Sequence, residues 1–91
     1  MLLTKLRIGK YQHYKGDFYR VLGLARNSEE PKQELVVYQA LYKSDEFGNN
    51  ALWVRPKESF MEKVILRGRK VLRFKFVGKN AKDNVKDIEK D

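Results

Sequence analysis

Read as alternating apolar and polar positions, the chain is a string of short strands. Leu6 and Ile8, then Tyr11 and His13 around Lys10 and Gln12, form a first strand whose phase shifts at Gly9, as at a bulge. The turn Tyr14-Lys15-Gly16-Asp17 ends it. Residues 18–26, rich in Phe, Tyr, Val and Leu, read as a second strand that completes a hairpin. Residues 27–33 form a polar loop, since Asn, Ser and Pro favour turns. Residues 34–42 are a third strand with apolar side chains on both faces, Leu35, Val37 and Leu41 against Val36, Tyr38, Ala40 and Tyr42, which places it centrally in a sheet.

A second loop covers residues 44–50, and residues 51–56 make a short fourth strand, closed by a proline that has no N–H for a ladder. Ser59-Phe60-Met61-Glu62 fits the S-x-x-E capping box and predicts one helical turn starting at Ser59. Residues 64–66 and 70–77, joined through Arg67-Gly68-Arg69, form a last hairpin. In it Leu72, Phe74 and Phe76 alternate with Arg73 and Lys75, so one face is buried and the other charged. Residues 78–91 lose the alternation and read as a flexible charged tail, with too little apolar surface to offset the entropy of ordering it. The prediction is an all-β domain over residues 1–77, with five to six strands and one short helical turn. It is a small SH3-like barrel by preference, or a curled antiparallel sheet, with an OB-type barrel as the alternative, although that fold usually needs a longer connecting helix.

Composition narrows the function. A chain of 91 residues has room for one core. No apolar run approaches the ~18 residues of a bilayer crossing, and no apolar stretch follows the first basic residues as in a secretion signal, so a cytoplasmic location is expected. Cysteine is absent and histidine occurs once, which argues against a metal site, and the six scattered glycines form no phosphate-binding loop. No cofactor is expected. The net charge of +8 is uneven: the segment from Arg26 to Glu62 is slightly acidic, while no acid interrupts the chain between Glu62 and Asp83.

The strings Tyr11-Gln12-His13-Tyr14-Lys15-Gly16, Tyr19-Arg20-Val21-Leu22-Gly23, Leu35-Val36-Val37-Tyr38-Gln39-Ala40-Leu41-Tyr42 and Trp53-Val54-Arg55-Pro56, taken in order, resemble DUF1653, a family of short bacterial proteins of unknown function. Asn27 and Ser59 depart from that pattern, standing where histidine and a bulkier apolar residue are expected. The resemblance implies a compact β fold and carries no activity with it.

Two constellations are candidates for binding. Arg67, Arg69, Arg73 and Lys75 alternate outward from an apolar strand and its turn, a pattern that tracks phosphates, so RNA, DNA or an acidic protein partner is expected on a basic face. Tyr38, Tyr42, Trp53 and Arg55, close to His13, form either a surface patch for a peptide or metabolite or part of the core. His13 lacks the scaffold that would make Ser28, Ser44 or Ser59 a nucleophile, so a noncatalytic binding module is the expectation, with an accessory role to an enzyme as a further alternative.

Overall fold

The computed structural model describes residues 6–79. Alternation becomes an antiparallel sheet of five strands: β1 (Gly9–His13), β2 (Phe18–Asn27), β3 (Glu30–Ala40), β6 (Leu52–Pro56) and β9 (Phe74–Gly78). Their order is β6-β3-β2-β1-β9, with β3 inside the sheet as its two apolar faces require. The remaining strands pair as two separate ribbons, β4 (Lys43–Ser44) with β5 (Gly48–Asn49) and β7 (Lys63–Leu66) with β8 (Arg69–Leu72). One helical turn, α1 (Lys57–Phe60), follows β6. The sheet is open and does not close into a barrel: β6 and β9 are its edges.

Cross-strand partners share a face of the sheet, so the register Tyr11↔Tyr19, Tyr19↔Ala40, Val21↔Tyr38 and His13↔Phe74 collects the aromatic side chains on one side. There α1 lowers Phe60 onto the sheet. Phe60 stacks on Phe74 with ring centroids 4.1 Å apart and planes within 3° of parallel, while Tyr11 and Tyr38 meet it edge-on at 5.3 and 5.2 Å. With Val21 and Val36 these rings are the buried core. The Tyr11 hydroxyl donates to the Arg7 carbonyl at 2.8 Å, which satisfies the polar end of a buried ring.

Local chemistry overrides the sequence pattern in several places. Residues 27–33 are no loop: β2 and β3 continue to a tight turn at Ser28 and Glu29. The Asn27 side chain accepts from the Glu29 N–H at 2.9 Å and donates to Gln33 at 2.9 Å, while Arg26 donates to the Pro31 carbonyl at 2.8 Å. Residues 44–50, expected as a loop, contain most of the small β4–β5 ladder.

The helical turn starts at Lys57, directly after Pro56, so Ser59 lies inside it and caps nothing. Finally, the strand expected over residues 70–77 breaks at Arg73. The Arg73 N–H donates to the Glu62 carbonyl at 3.0 Å and its carbonyl accepts from the Tyr14 N–H at 2.9 Å, so β8 belongs to a ribbon and β9 to the sheet. Leu72, expected on the buried face, is consequently exposed on the ribbon. Of the expected tail, Gly78 completes β9, and residues 80–91 lie outside the described residues.

The phase shift at Gly9 has a steric cause. Its φ is 144°, and a Cβ there would sit 2.9 Å from the Lys79 Cα and 3.0 Å from the Gly78 carbonyl oxygen. Gly23 has nothing within 4 Å of a built Cβ. Gly9→Ala is therefore expected to cost about 1–3 kcal/mol in urea unfolding, and Gly23→Ala less than about 1 kcal/mol.

Candidate functional site

The register that builds the core also builds a recess at its edge. On β3 and β6, Tyr38 faces Trp53 and Val36 faces Arg55, so Trp53 and Arg55 share the aromatic face of the sheet. Tyr19 reaches across from β2, and Tyr42 follows β3. These five side chains line a recess of about 180 Å³.

Tyr19 organises its floor. It meets Tyr38 at 5.4 Å and Tyr42 at 5.5 Å, both edge-on, and the Tyr19 and Tyr42 hydroxyls share a hydrogen bond of 2.7 Å. Burial, and then the bond from Tyr42, raise the Tyr19 pKa above the ordinary tyrosine value, so the phenol stays neutral. Trp53 forms the outer wall, 36% exposed, its ring edge-on to Phe47 at 5.2 Å.

Arg55 is the half-buried cation of the recess. Its Nε donates to the Tyr38 hydroxyl at 3.3 Å and its Nη1 to the Ser59 Oγ at 3.0 Å, and its guanidinium carbon lies 5.8 Å from the centre of the Phe74 ring. Among the described residues no carboxylate pairs with it. Arg73 and Lys57 differ in this respect, since they pair with Glu62 at 3.1 Å and Glu34 at 3.4 Å.

His13 stands beside the recess and not in its wall. Its ring contacts Tyr14 at 4.6 Å, Phe74 at 4.9 Å and Tyr19 at 6.3 Å, and its Nδ1 accepts from the Lys15 N–H at 3.1 Å. Desolvation lowers its pKa first, then the charges of Arg55, Lys15 and Arg73, with Asp17 opposing. The neutral imidazole sits in a positive field.

The expected basic strip is divided in the fold. Arg67 and Arg69 lie at the exposed end of the β7–β8 ribbon, and Lys75 is exposed on β9. Arg73 turns inward, where its Nε donates to the Ser59 carbonyl at 3.0 Å and its Nη2 to Glu62. Lys63 and Lys70 take the vacant places, both exposed on the ribbon. Tyr19 and Ser59 are site residues that the sequence pattern alone does not single out. Strand parity would place Tyr19 there once β2 is paired with β3, whereas the spacing around Ser59 points to a cap.

The family model of DUF1653, described as a protein of unknown function, matches residues 9–76. The chain belongs to DUF1653. A crystal structure of a protein of this family from Bordetella bronchiseptica is 35% identical, covers 85% of this chain and 94% of its own, and superposes with a TM-score of 0.73. No curated protein matches the chain. The matched stretch contains every wall of the recess and the whole β7–β8 ribbon of this DUF1653 domain.

Because Arg55 is the largest charge acting on His13, Arg55→Gln is expected to raise the His13 pKa toward 6.5, read by NMR titration of the imidazole. A folded-state pKa below the unfolded one also fixes a sign: the contribution of His13 to stability is complete above about pH 6.5 and is lost as pH falls through the folded pKa. Arg55→Gln should narrow that loss, measured as urea midpoints on the two sides of this range.

Proposed function

We propose that this domain is a noncatalytic binding module whose recess takes a flat ring carrying a carboxylate or phosphate. One observation carries the reading: Arg55 is half-buried and has only neutral hydroxyls and a ring as partners among the described residues. A cation partly withdrawn from water is stabilised by an anion, and a buried charge without one is costly. Among the described residues two of the five N–H donors of Arg55 are occupied, by Tyr38 and Ser59, which leaves three for an oxyanion.

The aromatic walls set the rest of the ligand. Trp53 offers exposed π surface at the mouth, and the paired Tyr19 and Tyr42 hydroxyls offer a polar rim. A space of about 180 Å³ suits one ring and its acid group, well below the ~300–1,000 Å³ of sites for drug-sized ligands. A ring-bearing metabolite and the C-terminal aromatic residue of a peptide present the same chemistry. Binding is favoured over catalysis because the Ser59 hydroxyl is held by Arg55 and His13 is held by the Lys15 N–H, so neither activates the other.

Trp53 is the only tryptophan, so its fluorescence reports the recess directly. Titration with indole and phenyl carboxylates, nucleoside monophosphates and dipeptides ending in Phe is expected to give a saturable change with at least one class, which identifies the source of the ring and its acid. Arg55→Gln, with its melting temperature checked, should weaken that affinity about 10- to 150-fold, as the loss of a charged hydrogen bond worth about 1.5–3 kcal/mol implies. Retained affinity in that variant, or no response to any probe up to millimolar concentration, would overturn the reading.

A further inference from the structure

The β7–β8 ribbon is a sheet of its own, attached at its base where Arg73 bonds to Glu62 and Tyr14. Its far end, residues 65–70, is exposed at every position. The turn has the form that suits a two-residue hairpin, with φ of 54° at Arg67 and 80° at Gly68, which matches the right-handed twist of the strands. Pairing Lys63 with Leu72 and Ile65 with Lys70 puts two ammonium groups and two exposed aliphatic side chains on one face, and Arg67 and Arg69 add charge at the tip. None of these four cations makes an ion pair among the described residues. The one acid at the base, Glu62, is bound by Arg73.

We propose that this ribbon docks in the major groove of B-form DNA, with Lys63, Arg67, Arg69 and Lys70 on the phosphates and Ile65 toward the base edges. The argument stands apart from the recess and uses three properties of the ribbon. First, its charge is of one sign, which is complementary to a phosphate backbone. Second, it is a two-stranded antiparallel ribbon of four residues a side, an element that a major groove about 12 Å wide admits.

Third, its exposed apolar side chains are aliphatic, and no aromatic residue lies between Lys63 and Leu72. Single-stranded nucleic acid is held chiefly by stacking on aromatic rings, which this ribbon lacks. Aliphatic groups instead suit thymine methyls in the major groove. Duplex RNA is disfavoured, because its major groove is too narrow and deep for side chains to read.

The test uses the full chain and fluorescence anisotropy with a labelled DNA duplex of about 20 base pairs, an RNA duplex of matching sequence, and the single strand; vesicles carrying an anionic lipid are a fourth arm, read by co-sedimentation. DNA duplex is expected to bind best, at micromolar affinity in physiological salt as for nonspecific contacts, with log affinity falling linearly against log salt. The triple variant Arg67→Gln, Arg69→Gln, Lys70→Gln changes exposed groups only and should remain folded by circular dichroism. It is expected to flatten that slope by about 2.7, at about 0.9 for each phosphate no longer neutralised. An unchanged slope and affinity in the triple variant overturns the proposal. So does tighter binding to single strands or duplex RNA, or binding to vesicles without binding to DNA.

Discussion

The stack of Phe60 on Phe74 is the contact on which the rest of this domain depends. An open antiparallel sheet with β6 and β9 at its edges has one face that must be covered, and here four residues of helix cover it with a single ring. Phe74 touches Phe60, Tyr38, Tyr19 and His13, so the core and the candidate site share one piece of aromatic surface. Position in the recess is therefore set by packing: Tyr38 is buried to 5% exposure, and its hydroxyl is left as a fixed acceptor for Arg55.

Ser59 joins two arginines with opposite roles. Its carbonyl accepts from Arg73 and its hydroxyl from Arg55. Arg73 also finds Glu62, which completes its charge balance and fixes the corner between ribbon and sheet. Arg55 finds no acid among the described residues and faces rings and hydroxyls. The difference between a structural arginine and a candidate ligand-binding one lies in that second partner, not in exposure, since both are half-buried.

The sheet was legible wherever one rule decided the local structure. Alternation in residues 6–13, 18–26 and 34–42 located β1, β2 and most of β3, although the first stretch starts three residues before β1 and the third runs two residues past β3; Trp53 and Arg55, two apart in sequence, share one side of β6. Features that depend on a side chain answering a particular backbone group were not legible. Asn27 extends a hairpin through what reads as a loop, and Arg73 ends a strand whose alternation continues through it. The S-x-x-E spacing at Ser59 misled because Pro56 had already set the entry to the turn, with φ of −53°. Phe60 gave no sign of being the central ring, since its partners lie on strands far away in sequence. The Tyr/Trp/Arg grouping was legible, but that Arg55 has no acid partner among the described residues follows only from the positions of Glu34 and Glu62 in space.

The close approach at Gly9 brings the first strand of the sheet against Lys79, just beyond the last. Entry and exit of the described fold are thus side by side, at neighbouring points of one surface. A unit with this geometry is a cassette: spliced into a surface loop of a host protein, it would bridge the loop's two ends without prising them apart. The same adjacency makes the domain suited to circular permutation, because a short linker could join the two ends and new ones could be opened at an exposed turn such as Ser28 and Glu29.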